Sequence, residues 1–512
     1  MIGAETLVRT LLACGVDTTF ANPGTSEMHF CAALDRAPGM RSILGLFEGV
    51  VSGAADGYAR MKGKPAATLF HCGPGLANAL ANLHNAKKSE TPIINIVGDQ
   101  ATYHAPLDPP LASDVEGFAR PVSQWVKRVT RVETLGVDAA EAVHASYRPP
   151  GGISTLILPS DVSWNEGGTV ATPLPVPQRA KVDQRAIREA AAVLNRGEPT
   201  LIFMGGAALT KGLNDAHRIA AKTGARLMAP TFNARIARGH GRYPIPSMPY
   251  PVDDAVKLTA GIRHVILAGT GEAVAFFAYP NKPSIVTPKD ALTHVLARPE
   301  HDAVDALAHL ADELGCPPAP ALNREPPPEP GRGALSVEGA AQTVGALLPD
   351  DAIVVDEAIT MRGPFFAGTR NAAPHDWLQV PGGSIGDGLP LATGAAVAAP
   401  DRRVVTIQAD GSAMYTIQAL WTQAREKLDV LTIILSNRKY AVLLHELKQV
   451  GAVAGKTALD LFEIDRPTLG FVQMANSMGV EAARAESLEQ FADLLRHAYA
   501  RRGPFLIELP LG

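Results

Sequence analysis

Short apolar runs recur along this chain, each closing on Gly, Pro, Asn or Asp, and longer stretches between them carry apolar residues at helical spacing. In the first third the runs are "VDTTFANPG", "AATLFHCGPG", "PIINIVGDQ" and "STLILPSD"; in the second, "PTLIFMGG", "ARLMAPT", "HVILAGTG" and "PSIVTP"; in the third, "AIVVDEA", "RVVTIQAD", "LTIILSN" and "FLIELP". Strands alternating with helices predict parallel sheets covered on both faces, an α/β doubly wound build. "TPLPVPQ" (Thr172–Gln178) and "CPPAPALNREPPPEPG" (Cys316–Gly331) read as linkers, because proline-rich chain favours extended conformations. They divide the sequence into 1–170, 180–318 and 332–512. The first and third parts open alike, with "GAETLVRTLLACGVDTTFANPG" and "VEGAAQTVGALLPDDAIVVDEA" each giving a helix, a turn, a strand and a loop.

Composition narrows the class without naming a chemistry. A length of 512 residues, 46% hydrophobic and 19% charged, predicts a folded chain of several domains. A net charge of −4 with no basic run argues against a nucleic-acid partner. No apolar stretch approaches the roughly 18 residues of a membrane span, and the N-terminus does not read as a signal peptide. Cys14, Cys31, Cys72 and Cys316 lack metal-ligand spacing and read as reduced, mostly buried thiols of a cytoplasmic protein.

One stretch suggests chemistry: "QADGSAMYTIQALWTQAREKLDVLTIILSNRKY", Gln408 to Tyr440. It reads as a strand at Val404–Gln408, a helix at Tyr415–Arg425 and a strand at Leu431–Leu435. A strand–helix–strand crossover of this kind makes the two strands parallel, with Asp410 and Asn437 just past the same ends. A carboxylate and an amide oxygen suit Mg²⁺ or Ca²⁺ and leave coordination positions for phosphate oxygens. Gly411 and Ser412 sit between Asp410 and the helix, where free N–H groups and the helix dipole favour an anion. The plainer alternative is an Asp-Gly turn and an Asn helix cap.

The Asp-Gly step and the following Asn resemble the signature of thiamine diphosphate-dependent enzymes, with Ala409 and Ser436 where that family usually has Gly and Asn. The resemblance covers nearly the whole chain and is to the decarboxylase and acetolactate synthase branch, with its pyrimidine-binding, central and diphosphate-binding domains. "NPGTSE" (Asn22–Glu27), "ADGYAR" (Ala55–Arg60) and "ADGSAMYTIQALW" (Ala409–Trp421) are similar to benzoylformate decarboxylase. By that resemblance Asp410, Asn437 and the Lys439 carbonyl hold the metal, and Gly411, Ser412 and Thr360 line the diphosphate. Pro23 and Tyr440 join the cofactor site, the Gly383 carbonyl accepts from the cofactor's amino group, and Ile385 wedges between its two rings.

The resemblance also implies catalytic roles. Glu48, in "SILGLFEGVVSGAADGYAR", would hydrogen-bond the pyrimidine nitrogen and so activate the thiazolium carbon. Desolvation among those apolar residues favours a shared proton over a bare charge. Its plain alternative is an acid that merely starts the next helix. His71, at a strand end before "CGPGLANAL", would carry protons to and from intermediates; otherwise it is a hydrogen-bonded strand-end histidine. Thr25 stands where the decarboxylase has serine, and that enzyme's second histidine has no counterpart in "EAVAFFAYP", which offers Phe276 or Phe277. Those two phenylalanines, with Val442 and Leu443, are candidate substrate contacts. "MGGAAL" lacks a full dinucleotide fingerprint, so FAD is not expected.

The expectation is a thiamine diphosphate- and Mg²⁺-dependent lyase or carboligase acting on a 2-keto acid or aldehyde. Its minimal unit would be a homodimer, and a homotetramer is expected. The alternatives are an acetolactate synthase-like transferase and a cofactor-binding but idle regulatory subunit.

Overall fold

The computed structural model describes residues 1–322 and 325–511, so Asn323 and Arg324 of the second proline-rich linker, and Gly512, lie outside the described residues. Strands β1 (Thr18–Asn22), β2 (Arg41–Leu44), β3 (Ala66–His71), β4 (Ile93–Asp99), β5 (Trp125–Arg128) and β6 (Ile153–Pro159) form one sheet in the order β2-β1-β3-β4-β6-β5. All its pairings are parallel. Both faces are covered, and β4 is accordingly buried at every residue.

Along the middle of the chain run β7 (Thr200–Met204), β8 (Arg226–Met228), β9 (Ile236–Arg238), β10 (His264–Ala268) and β11 (Leu292–Ala297). Four of these make a parallel sheet, β11-β10-β7-β8. "PSIVTP" is not one of its strands, because only Ile285 bridges there, antiparallel to Val274. Prolines at 283 and 288 bound that run and lack the N–H a ladder needs, so β11 takes the sheet position instead.

The last sheet holds β12 (Ala352–Glu357), β13 (His375–Leu378), β14 (Val404–Ala409), β15 (Val430–Ser436), β16 (Glu481–Arg484) and β17 (Phe505–Pro510), in the order β16-β17-β15-β14-β12-β13-β9. It is not wholly parallel. The mid-chain strand β9 closes the β13 edge antiparallel, pairing Ile236 with Trp377. Among the described residues no helix is long and apolar enough to cross a membrane.

Two helices bring the first and last sheets together. Glu48–Lys62 has its acid in the first turn and Arg60 and Lys62 in the last, and it ends at Gly63, whose φ of 72° suits a glycine. It lies against Gly388–Ala398, a helix buried at every residue. Small residues set the approach. A Cβ on Gly57 would stand 2.0 Å from the Leu391 carbonyl oxygen, and one on Gly394 would stand 1.8 Å from that of Ala54. Arg60 secures the contact, pairing with Asp56 and donating to the Gln379 carbonyl at 2.6 Å.

Candidate active site

β12, β14 and β15 are direct neighbours, so the loops after them meet. Thr360 is exposed in the turn after β12, Asp410 follows β14 and Asn437 follows β15. The Asp410 carboxylate is buried and accepts from the backbone N–H groups of Gly411 (2.8 Å) and Arg438 (2.6 Å). Burial pushes its pKa up and those N–H groups pull it back. Asn437 Oδ1 turns to the Lys439 N–H at 3.2 Å. Asp410 and Asn437 thus follow neighbouring parallel strands, and a carboxylate and an amide oxygen are hard donors of the kind Mg²⁺ takes. Gly411 must lack a side chain, since a Cβ would lie 2.5 Å from the Tyr440 ring.

The helix expected from Tyr415 starts later. A single turn, Asp410–Ala413, comes first, and the longer helix runs Ala419–Arg425. The intervening segment makes tight turns, and Thr416 Oγ1 donates to the Gly386 carbonyl at 2.7 Å. That bond draws the segment onto the loop of residues 381–388.

This loop is held from two sides. Glu357, buried at the end of β12, accepts from the N–H groups of Gly386 (2.8 Å) and Gly388 (2.9 Å) and from Gln408 Nε2 (2.6 Å). Gln408 Nε2 also donates to Ser412 Oγ at 2.7 Å, so this loop and the turn Asp410–Ala413 share one polar network. From the first sheet's side, the helix Cys72–Lys88 presents Asn78, Asn82 and Asn85 on one face, by their spacing of four and three. Asn78 donates to the Glu48 carboxylate at 3.0 Å, and Asn82 donates to the carbonyls of Gly49 (2.8 Å) and Gly386 (3.2 Å). Asn85 donates to the Ser384 carbonyl (2.8 Å) and accepts its N–H (3.1 Å). Sequence reading missed all three amides, and their helical spacing in "NALANLHN" was the available signal. Gly383, at a φ of 72°, faces Phe276, whose ring carbon Cζ lies 2.2 Å from where a Cβ would stand; Ile385 is half-buried beside it.

Glu48 and His71 are neighbours across Gly75. A Cβ there would lie 3.2 Å from Glu48 Oε1 and 3.6 Å from His71 Cβ. His71 Nδ1 contacts Glu27 Oε2 at 2.9 Å, and the same oxygen accepts the Gly24 N–H at 2.7 Å. Glu27 was not singled out from sequence, because an acid opening a helix passes for a cap. Burial raises its pKa, which the Gly24 N–H and His71 oppose. Two glycines make room for this pair. A Cβ on Gly98 would strike Glu27, and one on Gly24 would strike the His71 ring. Pro23 leads into the turn Thr25–Glu27, where Thr25 is exposed and Ser26 Oγ stands 3.3 Å from Cys72 Sγ. Burial pushes the Cys72 thiol up to about 11, so it stays protonated. Cys72 and Cys316 are buried, whereas Cys14 and Cys31 are partly exposed.

Phe277 packs beside Phe276 with ring centroids 5.0 Å apart. Val442 and Leu443 lie on the helix Ala441–Val450, which buries none of its residues.

Comparison with known proteins agrees with this architecture. Residues 1–120 match the "Thiamine pyrophosphate enzyme, N-terminal TPP binding domain" and residues 365–509 the corresponding "C-terminal TPP binding domain". The chain belongs to the thiamine pyrophosphate enzyme family. It is 49% identical, over 99% of both chains, to a Mycobacterium tuberculosis protein named "Putative acetolactate synthase large subunit IlvX". It is 28% identical to benzoylformate decarboxylase of Pseudomonas aeruginosa, covering 97% of this chain and 96% of that one. Among solved structures it is similar to the thiamine diphosphate-dependent 4-hydroxybenzoylformate decarboxylase of Rhodococcus jostii RHA1. There the TM-score is 0.88 at 25% identity, over 100% and 99% of the two chains. It is therefore a thiamine diphosphate-dependent enzyme of the decarboxylase and acetolactate synthase class, with that class's three-domain fold.

Proposed function

We propose that the protein uses thiamine diphosphate and Mg²⁺ to decarboxylate a 2-keto acid without oxidation, the acyl fragment left by CO₂ being protonated and released as an aldehyde or joined to a second carbonyl. The observation that carries this reading is the buried Glu48 carboxylate beside His71, in a chain whose residues 1–120 and 365–509 match thiamine pyrophosphate-binding domains. When bound, the cofactor supplies a carbanion for the keto carbon and a ring that takes up the electron pair left by CO₂.

The chain's own residues do the rest. Asp410, Asn437 and the Lys439 carbonyl would hold Mg²⁺, and Gly411, Ser412 and Thr360 would receive the diphosphate. The Gly383 carbonyl and Ile385 would set the cofactor's bend. Glu48 would share a proton with the pyrimidine nitrogen. His71, oriented by Glu27, would move protons at the substrate. Pairing of Glu48 from one subunit with Asp410 from another makes a homodimer the smallest competent unit in this reading.

The relative at 49% identity favours a second reading, transfer between two 2-keto acids as in acetolactate synthases. Incubation with pyruvate and separately with benzoylformate, following CO₂, aldehyde and acetolactate, chooses between them. Aldehyde as the main product supports decarboxylation, acetolactate supports transfer, and release of CO₂ from neither acid sinks both.

A further inference from the structure

Away from the candidate active site, a cavity of about 480 Å³ opens where the mid-chain strand β9 meets the last sheet. Lys211, Arg235, Arg242, Asp351, Asp376 and Arg402 are among the residues that line it. Asp351 and Arg402 come just before β12 and β14, whereas Asp410 and Asn437 come after β14 and β15. These strands are parallel, so the cavity lies toward the opposite end of the sheet from the candidate metal ligands.

Its charges do not cancel. The Asp376 carboxylate accepts from Arg235 Nε and Nη2, both at 3.0 Å, and from Arg402 Nη2 at 2.7 Å, while Arg242 Nη1 stands 4.0 Å away. Burial pulls its pKa up, but Arg235 and Arg402 outweigh that and hold it below the usual carboxylate range. It is one negative charge among three guanidinium groups. Asp351, exposed, adds a second at 3.1 Å from Arg402 Nη2. With Lys211 four cations line the cavity against two anions, and two positive charges are left over. Donors are left over as well. Arg242 spends only Nη1, on the His375 carbonyl at 2.6 Å. Its Nε and Nη2, Arg402 Nη1 and Lys211 Nζ have no hydrogen-bond partner among the described residues. The fork of Arg235 on Asp376 is enough to hold β9 to the sheet, and it gives no use to these other donors.

We infer that this cavity binds a small phosphate ester, whose phosphate group is received by Arg242, Arg402 and Lys211. Guanidinium forks match phosphate oxygens and an ammonium adds a point charge. The cavity has the size of a small-molecule site and exceeds what a bare phosphate ion fills, which favours an ester. The site is independent of the 2-keto acid reading above. For the test, the protein is loaded with thiamine diphosphate and Mg²⁺, so that the candidate diphosphate site is filled. It is then titrated calorimetrically at fixed ionic strength with glycerol 3-phosphate, which has no carbonyl to react, and with inorganic phosphate. Both should bind saturably and raise the melting temperature, the ester several-fold more tightly than the ion, and sodium chloride should do neither. Arg242→Gln and Lys211→Gln should each weaken binding about tenfold, the scale of one charge-assisted hydrogen bond. Lys211→Gln removes no side-chain contact of the fold, so its melting temperature without ligand should be unchanged and its loss of affinity is not a loss of folding. No saturable heat beyond that of chloride overturns the inference. So does full affinity in both variants, which places the bound phosphate elsewhere, and so does an ester held no more tightly than the bare ion.

Discussion

Glu48 is buried and takes a hydrogen bond from Asn78, so glutamine in its place keeps the shape and removes the acid. Glu48→Gln should lower kcat by about a hundredfold or more, the usual weight of general acid–base help, with an unchanged circular dichroism spectrum. Full activity in that variant would remove Glu48 from its proposed role. Asp387 makes a different prediction. Burial, then the charge of Asp56, hold its pKa well above the usual carboxylate range, against the pull of Arg60 at 4.0 Å. The folded chain thus binds this proton more tightly than the unfolded one. Stability is intact below the unfolded pKa and declines as pH climbs toward the raised folded value. Asp387→Asn should flatten that decline, as seen by urea unfolding at acid, neutral and alkaline pH. At this scale the placement of Asp410 and Asn437 past the same ends of neighbouring strands was legible, because one local crossover sets both. The sequence hid Glu27, whose partner His71 is 44 positions away and reaches it only after β1 and β3 pair.

Among the elements, the fully buried strands were legible because an unbroken apolar run such as "IINIVGD" has few other uses. β5, β13 and β16 were not, since "WVKR", "HDWL" and "EAAR" are short and polar and become strands only when a neighbour supplies the ladder. The asparagine face of Cys72–Lys88 was hidden for a related reason. Amides on a helix read as solvated until a loop from far along the chain docks on them. Asn85→Ala would free both polar groups of Ser384 and loosen the loop at Gly383. Thiamine diphosphate affinity should fall several-fold, about 1 kcal/mol or more, in a titration followed by tryptophan fluorescence. Gly57→Val should act on folding instead. Its first carbon would meet the Leu391 carbonyl, and pushing the two helices apart should cost about 2 kcal/mol or more by urea unfolding.

Across the whole molecule, metal and coenzyme should stabilise the fold together. Asp410 is a buried carboxylate whose ionised form gains from a cation, so Mg²⁺ with thiamine diphosphate should raise the melting temperature. Chelation should abolish that rise, and Asp410→Ala should be indifferent to both additions by scanning calorimetry. Equal stabilisation of Asp410→Ala would remove the metal from its assigned place.

Strand β9 has a practical consequence. The backbone edge of His375–Leu378 is capped by residues borrowed from a segment more than a hundred positions earlier. A fragment beginning after the second proline-rich stretch would carry that edge bare, its N–H and C=O groups free to recruit any extended chain, and should aggregate on expression. Whoever wishes to dissect this enzyme should cut elsewhere.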